Sequence, residues 1–212
     1  VTAFNFGWQP FFLEQGKGVN QEKLFGKVTT LVLAGLGFIW LILTLWADDF
    51  IQLKIMGYSF FGEEFQRSIP IVPWIALGYL FYGFYVLQTP GIFLKDRPGI
   101  AAWTRLLGAT SNIIFCFIFI PLYGAIGAAM ATCLAFFLML VMMYWWNTKL
   151  YPIRLEWRKI GFITIILISG FFVSRGSADN LFINILITGL YPIGLIGSGI
   201  IKMDSFKSRV AD

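Results

Sequence analysis

The sequence predicts an all-α bundle of membrane-spanning helices, and three observations lead there. Charged residues make up 13% of the chain and hydrophobic residues 58%, with a mean hydropathy of +0.77, whereas soluble domains carry about 25% charged residues. Four stretches, Val28 to Ala47, Ser68 to Leu94, Leu106 to Thr148 and Asn180 to Ile201, contain no Asp, Glu, Lys or Arg. A helix needs roughly 20 such residues to cross a bilayer, so the third stretch suffices for two crossings. These runs are also continuous, unlike the alternating apolar and polar segments of barrel strands. Lipid offers the backbone no hydrogen bonds, so helices are the remaining way to span it.

Residues 1–15 read as the last part of a helix whose beginning precedes this sequence, with Trp8 and Pro10 near its end. The apolar, aromatic opening lacks the basic start and small-residue exit of a cleavable signal peptide. Complete spans are expected at 28–46, 69–93, 100–120, 124–146, 159–175 and 181–201, giving six complete spans plus the partial one. The long run divides at Pro121-Leu122-Tyr123-Gly124, where proline and glycine favour a turn between antiparallel helices. Between Asp48 and Arg67, Phe50, Ile51, Leu53, Ile55 and Met56 fit either a short helix lying on the membrane surface or a simple loop.

Charge alternates along the connections. Of the 16 Lys and Arg residues, all but Lys54, Arg67 and Arg175 fall in alternate loops and the tail, which places them on one side. The other side collects Asp48, Asp49, Glu63, Glu64 and Asp179. Basic loops stay in the cytoplasm, so the C-terminus is expected there. The net charge of +5 is thereby a matter of topology. Nucleic-acid binding would need those charges on one folded face, and no nucleic-acid partner is expected.

Metal and hydrolytic chemistry have little to work with. The chain has no histidine, the commonest transition-metal ligand and acid–base group near neutral pH. Its two cysteines, Cys116 and Cys133, lie inside spans without a metal or redox spacing. No cofactor and no metal site are expected. The outer acids are the sole candidates for general-base work, and solvated loop charges are the simpler reading of them.

The candidate pathway residues are Arg105, Asn112, Tyr82, Tyr85 and Gln88. Arg105 falls about one and a half turns inside its helix and shares a face with Gly108, Asn112 and Cys116. Two readings stand for it: a guanidinium facing a cavity, where it can fork onto anionic oxygens, or a long side chain reaching back to the headgroups. Asn112 suits the same cavity or a helix–helix hydrogen bond. On the preceding span Gly78, Tyr82, Tyr85 and Thr89 form a stripe with Gln88 beside it. Its tyrosines suit sugar rings, packing, or interfacial anchoring. Gly124, Ala128, Ala131 and Ala135 form a small-residue stripe of the kind that lets helices approach closely. Asp, Glu and His are absent from the span centres, so no carboxylate proton or sodium relay is expected here.

Several segments together resemble the C-terminal half of bacterial polysaccharide flippases of the multidrug/oligosaccharidyl-lipid/polysaccharide exporter superfamily. They are Phe6-Gly7-Trp8-Gln9-Pro10-Phe11-Phe12-Leu13, Leu24-Phe25-Gly26-Lys27-Val28 after a basic loop, and Ile71-Val72-Pro73 leading to Gly78-Tyr79. Most telling is Asn112 followed by Ile120-Pro121-Leu122-Tyr123-Gly124-Ala125-Ile126-Gly127-Ala128-Ala129-Met130-Ala131-Thr132. The likeness covers most of residues 1–146, and the last two spans agree in number and placement.

The resemblance implies that 1–146 is the second lobe of an exporter fold and that 147–212 adds two C-terminal spans and a cytoplasmic tail. It implies a non-enzymatic protein of the bacterial inner membrane that flips an undecaprenyl-pyrophosphate-linked oligosaccharide, such as an O-antigen or lipopolysaccharide precursor, by alternating access. Its partners would be that substrate, the bilayer and a missing N-terminal lobe. A cation-coupled multidrug exporter of the same fold and a membrane-embedded glycan-processing enzyme are the alternatives.

Overall fold

The computed structural model describes residues 2–16, 18, 20–52, 54–55, 58–59, 63–176 and 180–200. It is a helical bundle, in agreement with the predicted class. The helices are α1 (Thr2–Gln15), α2 (Gln21–Leu45), α3 (Ala47–Ile51), α4 (Val72–Leu87), α5 (Pro90–Leu94), α6 (Gly99–Tyr123), α7 (Ala125–Leu150), α8 (Trp157–Gly176) and α9 (Leu181–Gly197). A 3-10 turn over Glu63–Ile71 leads into α4, and Lys54–Ile55 pairs antiparallel with Tyr58–Ser59, with Lys54 opposite Ser59.

Five helical segments are long and apolar enough to cross a bilayer: Gln21–Leu45, Phe65–Leu94, Gly99–Tyr123, Ala125–Leu150 and Trp157–Gly176. At about 1.5 Å per residue, even the 20-residue α8 reaches about 30 Å. The sixth expected span is an apolar helix of 17 residues, α9, which is shorter than the range 181–201 read from charge alone. The expected span 69–93 is interrupted. Pro90 has no amide hydrogen, and the helix breaks between Leu87 and Pro90 before resuming as α5. Between Asp48 and Arg67 a short helix forms over Ala47–Ile51, with Asp48 and Asp49 in its first turn.

The long helices stand in a row. α6 packs on α7, α7 on α4 and α4 on α2, and α2 also carries α8 and α9, with α8 facing α4 and α7 across an apolar pocket lined by Phe81, Tyr144 and Leu167. The α6–α7 turn forms where proline and glycine predicted it. Pro121 lies in the last turn of α6, and Gly124 adopts φ +57°, which reverses the chain where a side chain would be strained. Three residues later, a Cβ on Gly127 would overlap the carbonyl of Phe119, so glycine is what lets the two helices close on each other.

The basic loops meet at one end of the row. The Arg154 amide donates to the Glu22 carbonyl at 3.2 Å, and its guanidinium pairs with the Glu22 carboxylate at 3.5 Å. Phe25 meets Tyr151 at 6.2 Å, and Phe12 meets Phe93 at 5.9 Å. Residues 20–25, 93–94 and 150–155 are therefore neighbours, as charge alternation requires. The tail that carries Lys202, Lys207 and Arg209 lies outside the described residues.

Apolar burial supplies little drive between helices in lipid, so close packing and hydrogen bonds must hold the row together. At the end opposite the basic loops, Asn184 of α9 does this directly. Its amide nitrogen donates to the Leu45 carbonyl at 3.3 Å, a helix-end acceptor without an intrahelical partner, while its oxygen accepts from the Ser174 hydroxyl at 2.7 Å. Trp46 Nε1 donates to Thr188 Oγ1 at 3.1 Å. Halfway along, the Tyr191 hydroxyl donates to the Ala34 carbonyl at 2.9 Å, and its ring stacks on Phe38 at 5.5 Å. These contacts pin α8 and α9 to α2. The outward faces are apolar instead: Leu106, Ile113, Phe117 and Leu122 of α6 are all exposed, as a surface solvated by hydrocarbon requires.

Candidate functional site

The residues read as pathway candidates fall into two places. The first is the basic end of α4. Its stripe turns toward α7: Gly78 lies against the backbone of Cys133, and Tyr82 meets Phe136 at 5.1 Å in a tilted arrangement and stacks on Tyr85 at 5.7 Å with 18° between planes. Tyr82 is half-buried, whereas Tyr85 is fully buried. Packing thus accounts for the tyrosine rings, but it does not account for the Tyr85 hydroxyl, which makes no hydrogen bond.

Arg105 approaches that hydroxyl from α6. Its guanidinium acts on Tyr85 electrostatically, although the pair lacks the geometry of a full hydrogen bond. The side chain of Arg105 is exposed and makes no ion pair among the described residues. Thr104 beside it is buried and bonds back to the Ile100 carbonyl at 2.8 Å. The cation therefore sits at the flank of α6, with one side toward Tyr85 and the other open. Fully exposed aromatic and apolar residues continue along the rest of that flank.

Gln88 completes this first place. It is fully buried, its Oε1 accepts from Asn147 Nδ2 at 3.2 Å, and its Nε2 has no partner. Asn147 of α7 was not singled out in the sequence, and its Oδ1 is also unpartnered. So is Nε1 of Trp8, which packs against Phe25 at 5.8 Å in the same apolar cluster. A buried polar group without a partner costs about 1–3 kcal/mol, so these are the atoms that water or a ligand would satisfy at this end of the bundle.

Asn112 belongs to a second place, seven residues further along α6 and roughly 10 Å away along the axis. Its Nδ2 donates to Thr132 Oγ1 of α7 at 3.2 Å, and Cys116 Sγ donates to its Oδ1 at 3.6 Å. Thr132 in turn donates to the Ala128 carbonyl at 3.1 Å. Asn112 thus makes the inter-helix bond open to it, and the structure does not bring it to Arg105. Ala131 and Ala135 of the small-residue stripe are buried.

Among the described residues, no group of three or more His, Cys, Asp or Glu could hold a metal ion. The side chains of Glu63 and Glu64 lie outside the described residues. What the site offers is a stacked pair of tyrosines, buried amide donors and one accessible guanidinium. Groups of these kinds are able to stack on rings and donate hydrogen bonds to acceptor-rich ligands.

No protein-family model matches the chain, and no solved structure matches it. Two known proteins are similar to it. The chain is 24% identical over 164 residues to the "Uncharacterized membrane protein MJ1068" of Methanocaldococcus jannaschii, covering 71% of this chain and 31% of that protein. It is 27% identical over 112 residues to the "Probable low-salt glycan biosynthesis flippase Agl15" of Haloferax volcanii, covering 53% of this chain and 24% of that protein. The chain spans less than a third of the length of either relative.

Proposed function

We propose that this chain is one lobe of a transporter that moves a lipid-linked glycan across the membrane by alternating access. The similarity to a glycan biosynthesis flippase over 53% of the chain carries the reading, and a bundle of membrane-length helices supports it. Residues 1–146 would form the lobe proper, and 147–212 two added spans with a cytoplasmic tail. The docking of α8 and α9 on α2 favours that division. The protein acts as a carrier rather than an enzyme, and the bilayer and a second lobe are its partners.

The substrate would be a polyprenyl-pyrophosphate-linked oligosaccharide, with undecaprenyl as the carrier in a bacterial inner membrane. Arg105 would meet its anionic oxygens from the open flank of α6, while the half-buried Tyr82, stacked on the buried Tyr85, offers a face for a sugar ring. Asn112 would line the same path further along α6, and Gln88 would contribute its amide at the basic end. With the basic loops cytoplasmic, this end receives the substrate.

Deletion of the full-length gene tests the proposal. Lipid-linked glycan is expected to accumulate while surface glycan falls, and the intact gene restores both. Unchanged lipid-linked glycan together with altered drug resistance would overturn it in favour of a multidrug exporter.

A further inference from the structure

The helix that begins as α4 is broken between Leu87 and Pro90. Around the break the hydrogen-bond ladder tightens: the Gln88 amide is shared between the Phe84 carbonyl at 3.2 Å and the Tyr85 carbonyl at 3.1 Å, and Thr89 bonds to Val86 at 3.1 Å and Ile92 to Thr89 at 3.2 Å, three residues back. Pro90 cannot donate, and the Thr89 hydroxyl fills part of the gap by donating to Val86 at 2.7 Å. Such tight turns inside a longer helix mark points of bending. Beyond the break, α5 is a single short element wedged between α1 and the end of α7. Phe93 meets Phe12, Leu94 lies against Gly16, and Gly91 lies so near the Asn147 side-chain oxygen and Tyr151 that a Cβ there would overlap them.

One hydrogen bond ties the break to α7, from Asn147 Nδ2 to Gln88 Oε1. The remaining polar atoms of the same pair, Gln88 Nε2 and Asn147 Oδ1, are sealed from water without partners. A state that leaves buried polar atoms unsatisfied competes with one that hydrates them. We propose that the break at Gln88–Pro90 is a hinge, latched in this state by the Asn147–Gln88 hydrogen bond, through which α5 and α1 swing away from the end of α7 and open Tyr85 and Gln88 to water. The hinge does not depend on what is transported, so it stands or falls separately from the glycan reading.

Amide hydrogen exchange on the full-length protein in phospholipid nanodiscs tests the hinge. Asn147→Ala removes the latch and is expected to speed exchange over residues 89–95 about tenfold, with α2 and α8 unchanged. Pro90→Ala restores a donor for the Val86 carbonyl and is expected to slow exchange over the same residues by a similar factor. The opposite signs separate a released hinge from general loosening. Should Asn147→Ala speed exchange throughout α2 and α8, Pro90→Ala decides alone: slower exchange supports the hinge. Unchanged or faster exchange over 89–95 in Pro90→Ala overturns it, as does an unchanged rate there in Asn147→Ala.

Discussion

Arg105→Ala in the full-length protein is expected to lower surface glycan at least about tenfold while leaving the amount of folded protein in the membrane unchanged. The side chain is exposed and has no ion pair among the described residues, so its removal leaves no buried charge behind. What it removes is a guanidinium that acts electrostatically on Tyr85 from the open flank of α6. Arg105→Lys keeps the charge but loses the planar fork that grips two anionic oxygens together, and it should fall between the two. Surface-glycan quantification beside a membrane-protein blot reads both variants. Full export by Arg105→Ala would return the residue to reaching for headgroups.

Gly127→Val should have the opposite profile, with little folded protein and no specific transport defect in what remains. A Cβ there overlaps the Phe119 carbonyl, and neighbouring contacts are also to backbone, which cannot rotate away. Separating α6 from α7 enough to admit the side chain would disrupt the Asn112–Thr132 bond and the packing along both helices. A cost above about 3 kcal/mol is expected, in the range of severe core disruption. Gly189→Ala is the matched control, because nothing lies within 4 Å of that Cβ and alanine favours a helix by roughly 1 kcal/mol over glycine. Thermal melting of detergent-solubilised protein should show a large loss for Gly127→Val and none for Gly189→Ala.

These two residues show what the sequence disclosed and where it fell silent. Charge-free runs located the long helices, because excluding charge is what the bilayer demands of every span. The Pro121–Gly124 turn was equally plain, since both residues act locally. The break at Gln88 was harder to see. Thr89, Pro90 and Gly91 were in view, but proline and glycine are uncharged and tolerated within spans, so the run read as continuous. Asn147 escaped for a related reason. Near a helix end, an asparagine reads as interfacial, and only the fold shows it buried against Gln88. Gly78, Tyr82 and Tyr85 of the stripe lie on α4 while Thr89 falls beyond its break, and which neighbour the stripe meets depends on the order of helices in the row. Periodicity carries no information about that order, and the structure turns the stripe toward α7.

The central claim is transport of a lipid-linked glycan, and reconstitution tests it most directly. The purified full-length protein would be placed in proteoliposomes with a polyprenyl-pyrophosphate-linked oligosaccharide, and the glycan reaching the opposite leaflet would be counted by lectin accessibility. The account predicts faster appearance of glycan on that leaflet than in protein-free vesicles, with the gain largely lost in Arg105→Ala. Equal rates with and without correctly folded protein, across lipid-linked glycans of differing composition, would contradict it.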